Sequence, residues 1–279
     1  MPPRILLLTT LAMFAFAGNS LLCRLALRDT AIDPASFTTV RLVAGAVTLW
    51  LLVRMRRGDL PAGGDWFGAA ALFVYAAAFS FAYVGLAAGT GALLLFGAVQ
   101  LSMIAWGLLR GERLWRWQIV GLLLALAGLL ILLVPGARSP SLGSALLMLL
   151  AGIAWGAYSL RGRGVPDPLA ATAGNFLRAV PMAIVLAVLM LSRQQWDGAG
   201  LLYAVLSGAV TSGIGYAIWY SALPGLAAMQ AASVQLSVPL LTAVLGALLL
   251  AEPLTPRLLL ASVAILGGIA LVLFVKRRA

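Results

Sequence analysis

The sequence predicts an all-α membrane protein of ten transmembrane helices, arranged as two inverted five-helix repeats. Three observations predict it. The 279 residues are 63% hydrophobic and only 10% charged, with a mean hydropathy of +1.05; soluble domains are about 45–50% apolar and about 25% charged. Apolar runs of 18 or more residues, long enough at 1.5 Å per residue to cross a hydrocarbon core of about 30 Å, fill nearly the whole chain. Short sequence features recur in the same order, 135 to 140 residues apart.

Charge, proline and glycine punctuate the apolar sequence into spans at 5–27, 35–53, 66–88, 91–109, 117–134, 142–160, 169–191, 200–222, 225–250 and 257–275. The first span contains Ala15-Phe16-Ala17, which could pass for a cleavage site. Only one arginine precedes it and the apolar run continues beyond, so a retained helix is expected. Residues 66–109 are too long for one helix, and Gly89-Thr90-Gly91 is expected to supply the turn. Residues 200–250 are expected to break at Leu223-Pro224-Gly225. Pro239 favours a bend in the ninth span, either a gate or a tolerated structural kink.

Basic residues set the orientation. With ten spans, the face holding both termini carries twelve Lys and Arg: Arg4, Arg54, Arg56, Arg57, Arg110, Arg113, Arg116, Arg161, Arg163, Lys276, Arg277 and Arg278. The opposite face carries five: Arg24, Arg28, Arg138, Arg193 and Arg257. That asymmetry predicts cytoplasmic termini in a bacterial-type inner membrane. The net charge of +11 therefore reports topology rather than nucleic-acid binding. Trp66, Trp115, Trp117 and Trp196 fall at span ends, where interfacial anchors belong.

The repeat is read from paired features. Val99-Gln100-Leu101-Ser102 recurs as Val234-Gln235-Leu236-Ser237, at an offset of 135. Glu112-x-Leu114 recurs as Glu252-x-Leu254, and each glutamate is followed sixteen residues later by a glycine, Gly128 and Gly268. Phe16 and Ser20 match Trp155 and Ser159; Tyr75, Phe79 and Tyr83 match Ser212, Tyr216 and Tyr220. Five helices per half is an odd number, so the second half (136–279) enters the membrane opposite to the first (1–135). Inverted repeats of this kind are typical of secondary transporters, with substrate held near the midplane between halves.

These features, with the short Glu-x-Leu connector before each half's last helix and the aromatic and small residues of each half's first helix, resemble the drug/metabolite transporter superfamily, EamA type. Within it the chain looks most like the YddG-type aromatic amino-acid exporters. The resemblance implies a ten-helix basket whose cavity is lined by helices one, three, four, six, eight and nine. The chain departs from the common pattern at Gln100, where many members carry proline. It also has five fewer residues between Ser102 and Glu112 than between Ser237 and Glu252, so the fourth helix is expected to be shorter or differently bent than the ninth.

Polar residues agree with that layout. Spans five and ten are almost wholly apolar, so they are expected against lipid or each other. Unsatisfied polar groups in hydrocarbon cost several kcal/mol, so polar residues elsewhere should face a shared interior. The expected substrate-binding set is Phe16, Asn19, Ser20, Tyr75, Phe79, Tyr83, Gln100, Trp155, Tyr158, Ser159, Ser212, Tyr216, Tyr220 and Gln235. Alternatives stay open: the aromatic stripes could be helix packing, and the glutamines could be interhelical hydrogen bonds. Arg41 and Arg178 lie inside spans, either snorkelling to headgroups or meeting a substrate carboxylate.

No enzyme is expected. Histidine is absent, and the eight acids (Asp29, Asp33, Asp59, Asp65, Glu112, Asp167, Asp197 and Glu252) sit in connectors or at span ends, which excludes the usual nucleophile–base pairs and metal sites. One cysteine, Cys23, rules out an internal disulfide. The expected function is secondary export of small amphipathic metabolites, aromatic amino acids foremost, by alternating access through an uncharged aromatic cavity. No cofactor or metal is expected, and no acid in a span centre points to transport without obligatory proton coupling. The alternatives are a drug or other metabolite permease of the same fold, or a channel. The bilayer and a small molecule are the expected partners; a monomer is compatible with the sequence, which leaves oligomeric state open.

Overall fold

The computed structural model describes residues 2–57, 63–111, 113–134, 140–226 and 228–274, and the side chains of all these except Arg57, Ala228, Met229 and Ala232. Among the described residues, ten helical spans are long and apolar enough to cross a membrane. The first five are Pro3–Asp29, Pro34–Arg57, Trp66–Tyr83, Ala88–Leu109 and Arg116–Leu133. The sixth and seventh are Leu142–Arg161 and Pro168–Leu189. The eighth, Gly198–Gly225, begins and continues as α-helix around a π-helical stretch, Ser207–Ile214, and ends in a 3₁₀ turn at Leu223–Gly225. The ninth has two pieces, Ala228–Gln235 and Ser237–Leu250, and the tenth is Pro256–Phe274.

Several span starts follow from local chemistry. Asp65, Asp167 and Asp197 each accept a backbone N–H of the following helix, from Gly68, Ala170 and Gly200. Asp33 accepts from Ala35 and Ser36, both at 2.9 Å. Half of the chain's eight acids therefore cap helices, each such cap being worth about 0.5–2 kcal/mol.

The helix pairings are symmetric under exchange of the halves. Span three packs on six as eight packs on one; span four packs on six as nine packs on one; two crosses seven, four crosses nine and five crosses ten. This is the pattern of two inverted repeats. The expected boundary at 135/136 falls on a residue outside those described, as does Glu112 of the first connector motif. The apolar spans five and ten pack on each other backbone to backbone: a Cβ at Gly121 would sit 2.5 Å from the Gly268 carbonyl, and the converse holds. Gln118 Nε2 also reaches across to the Val272 carbonyl at 3.1 Å.

One expected turn is corrected. The third helix ends at Tyr83 and the fourth begins at Ala88, so Gly89-Thr90-Gly91 lies within a helix. The cause is tertiary. Arg24 Nη1 donates to the Tyr83 and Val84 carbonyls at 2.9 and 3.1 Å, and the Glu252 carboxylate accepts the Ala88 N–H at 2.7 Å. Two side chains distant in sequence thus cap the end of one span and the start of the next. Gly89 and Gly91 serve contact instead, against Ala243 and under the Tyr83 ring. The break at Leu223–Gly225 is present. The ninth span is interrupted at Leu236, whose N–H bonds back to Ser233 at 3.1 Å; Pro239 has no N–H to offer the Gln235 carbonyl.

Candidate functional site

A cavity of about 840 Å³ lies between the halves and opens toward the face that holds the connectors at 63–65, 161–168 and 223–225. Thirteen of the fourteen expected site residues line it: Phe16, Asn19, Ser20, Tyr75, Phe79, Gln100, Trp155, Tyr158, Ser159, Ser212, Tyr216, Tyr220 and Gln235. Tyr83 does not. It is fully buried behind the wall, donating to the Ala88 carbonyl at 3.2 Å, with its ring edge-on to Phe79. The i, i+8 spacing put Tyr83 on the right stripe, but the stripe runs out of the cavity one turn before it.

Trp155 is the hub of the lining. Its ring stacks on Tyr216 (5.5 Å between centroids) and on Tyr158 (5.2 Å), and tilts against Tyr75 at 4.8 Å. Phe16, its repeat partner, meets Tyr216 at 5.8 Å and Trp219 at 6.0 Å. Both halves therefore contribute to one aromatic surface, each ring pair adding about 0.5–1.5 kcal/mol beyond area burial.

Two polar networks run through this surface. Tyr158 donates to Thr172 at 3.1 Å, and Thr172 to the Tyr220 hydroxyl at 3.2 Å. Asn19 Oδ1 accepts from Ser207 at 2.7 Å and Thr211 at 3.3 Å, while its Nδ2 donates to the Tyr75 hydroxyl at 3.4 Å. Ser207 and Thr211 lie in the π-helical stretch of span eight, a local geometry found often at functional sites. Ser212, in the same stretch, is buried with its hydroxyl unpartnered among the described residues. Gln100 is 6% exposed and Gln235 half-buried. Both line the cavity, and among the described residues neither amide makes the interhelical hydrogen bond that was the alternative for them.

Charge is where the structure departs most from expectation. The cavity mouth carries Asp65, Arg161 and Arg163, with Arg161 Nε on Asp65 Oδ2 at 3.0 Å. Arg41 does not snorkel: it is 1% exposed, packed with its guanidinium 4.9 Å from the Phe79 ring centre and 5.3 Å from that of Tyr75. Its Nη2 donates to the Tyr75 hydroxyl at 3.2 Å, while Nε and Nη1 have no acceptor among the described residues. Seven residues beyond Pro34, Arg41 stands about 10 Å of helix rise from the span start, too deep for an easy reach to headgroups. Burial of an unpaired ion costs several kcal/mol, and cation–π contact returns about 0.5–2 kcal/mol. The interior is therefore not uncharged. Arg178 is the anchor: its Nη1 donates to the Gly63 and Gly174 carbonyls at 2.8 and 3.0 Å.

Sequence reasoning missed Thr172 and Asn175 of span seven and Thr211 and Trp219 of span eight, which also line the cavity. No repeat partner marked Thr172 or Asn175, although a polar residue on an apolar span was signal enough. The far end of the cavity is closed. Arg24 Nε meets Glu252 Oε1 at 3.2 Å, and Arg28 Nη1 holds the Leu250 carbonyl at 3.0 Å. Ala251 adopts a left-handed conformation (φ 51°), and the next residue's N–H bonds back to Gly246, turning Glu252 toward the bundle.

Comparison with known proteins adds three findings. The model of the EamA-like transporter family matches residues 3–134 and again 142–274. An uncharacterized protein of Pseudomonas aeruginosa is 66% identical over 271 residues, covering 97% of this chain and 94% of its own, and an uncharacterized transporter of Archaeoglobus fulgidus is 25% identical over 255 residues, covering 85% and 86%. A crystal structure 21% identical in sequence superposes over 100% of both chains with a TM-score of 0.70.

Proposed function

The chain belongs to the EamA-like transporter family and is a multi-pass membrane transporter of small molecules, and from that premise we propose that it exports aromatic amino acids by alternating access. The observation that carries this reading is the Trp155 stack, which joins Tyr75 of one half to Tyr216 of the other. An aromatic ring can pack against the cavity side of a surface of that kind. The amides of Gln100 and Gln235 and the hydroxyl of Ser212, which make no hydrogen bond among the described residues, offer donors and acceptors to a zwitterionic head.

The open mouth lies on the face holding both termini, and the positive-inside asymmetry supports reading that face as cytoplasmic in a bacterial-type inner membrane. A cavity open to the cytoplasm and sealed beyond it by Arg24 and Glu252 is the loading state of an exporter. A closed far end also favours a carrier over a pore.

The test is counterflow of radiolabelled phenylalanine and tryptophan in proteoliposomes, competed by a panel of amino acids and cationic dyes, with internal pH followed in parallel. Saturable counterflow blocked by aromatic amino acids is expected, without a fixed proton stoichiometry. Tyr216→Ala and Gln235→Ala should each lower transport per folded molecule about tenfold, the value of one well-placed contact. Competition by dyes alone would make the protein a drug permease, and unsaturable flux would make it a channel.

A further inference from the structure

Resting on that reading, we propose that Tyr75 and Arg41 together form a carboxylate-recognition site in the cavity wall, so that the substrate class is restricted to carboxylates.

The Tyr75 hydroxyl accepts two hydrogen bonds, from Arg41 Nη2 at 3.2 Å and from Asn19 Nδ2 at 3.4 Å. Its own proton is left for a third group. Among the described residues no acceptor takes it, and Tyr75 lines the cavity. A phenol that accepts from a cation is a strengthened donor, because charge-assisted bonds polarise the next bond in the chain. What it seeks is an oxygen acceptor, and an anionic one is favoured by the guanidinium directly behind.

Arg41 supplies the second half of the argument. Two of its three nitrogens have no acceptor, and among the described residues no carboxylate pairs with it. It sits at the level of Tyr75, the tenth residue of the eighteen-residue third span, and so near mid-depth. An intramembrane arginine left unpaired calls for a partner; Arg41 itself does not line the cavity, so its charge acts on a ligand there through the Tyr75 hydroxyl it donates to. With the carboxylate toward Tyr75, an aromatic side chain of the same substrate extends toward Trp155, whose ring centre is 4.8 Å from that of Tyr75.

The experiment is calorimetric binding to purified protein in lipid nanodiscs, using ligands matched except at the carboxylate. Phenylalanine is compared with phenylalaninamide and phenethylamine; leucine with leucinamide; benzoate with benzamide. Wild-type protein is expected to bind carboxylates at least about tenfold tighter than their partners, the loss typical of one hydrogen bond to a charged group. Tyr75→Phe, which removes one oxygen and keeps the ring stack, should collapse that preference, as should Arg41→Gln; Arg41→Lys should retain part of it. A purely structural Arg41 would instead lower thermal stability and leave the ratio unchanged. If Arg41→Gln fails to fold, Tyr75→Phe alone decides. Preference among the leucine or benzoate pairs without binding of phenylalanine would sink the aromatic reading and leave this inference standing. A wild-type protein indifferent to the carboxylate, or a folded Tyr75→Phe that keeps the preference, overturns it.

Discussion

Asp65 does two things at the mouth of the cavity. It caps the third span through the Gly68 N–H at 2.9 Å, and it pairs with Arg161 at 3.0 Å. The Gly68 N–H pulls its carboxyl below the ordinary value of 3.8; partial burial opposes this, and the Arg161 guanidinium adds to the lowering. A carboxyl with a depressed folded pKa binds fewer protons folded than unfolded, so its contribution is complete above about pH 5 and fades as pH falls through the folded pKa. The melting-temperature difference between wild type and Asp65→Ala should stay constant from about pH 5 to 8 and narrow below about pH 4. Its size should correspond to about 1 kcal/mol, chiefly the cap, since Arg161 is largely exposed and that pair is screened. A difference that grew on acidification would refute the assignment. At this scale the sequence was a good guide to which side chains face inward, because a polar residue on an apolar helix has few places to go. It was a poor guide to Arg41. Whether an arginine snorkels or is buried depends on what packs over it, and Phe79 and Tyr75 come from another helix.

Among the elements, spans five and ten cross most closely where Gly121 meets Gly268. A methyl at Gly268 would meet the Gly121 carbonyl at 2.5 Å and the Ala125 backbone at 2.7 Å, whereas at Gly267 it would meet nothing within 4 Å. Gly268→Ala should therefore destabilise by about 1–3 kcal/mol, the usual cost of overpacking, and Gly267→Ala should be neutral or slightly stabilising in a helix. Thermal denaturation of the two variants side by side checks this; equal melting temperatures would contradict the close crossing. Because this pair stands apart from the cavity lining, transport per folded molecule should be unchanged in both. The spans themselves were legible from hydropathy, since a bilayer leaves only helices or closed barrels as options. The turn after the third span was not. Gly89-Thr90-Gly91 carried the local signal, but Arg24 and Glu252, 228 residues apart, end one helix and start the next. Long-range capping has no local signature.

For the whole molecule, the pairing of helices across the two halves makes one cavity with two potential exits. The exit toward the termini is open, and the other is held by Arg24, Arg28, Glu252 and the strained turn at Ala251. The duplication visible in Val99–Ser102 and Val234–Ser237 foretold a shared interior, and Gln100 and Gln235 both line the cavity. Which exit is open was not foretold, because inverted repeats are symmetric by construction and the choice rests on tertiary contacts. The central claim is that this cavity is the substrate path, reached from the face holding both termini. It is tested most directly by a single cysteine in the lining. In a Cys23→Ala background, Ser159→Cys is exposed to a membrane-impermeant maleimide in inside-out and right-side-out vesicles, with and without saturating phenylalanine. Arg163→Cys and Arg193→Cys serve as markers of the two faces. The cysteine at 159 should label from the same side as the one at 163, and phenylalanine should slow that labelling in proportion to its occupancy of the site. Labelling from the side of the 193 marker alone, or at a rate indifferent to every substrate that the protein transports, would contradict the account.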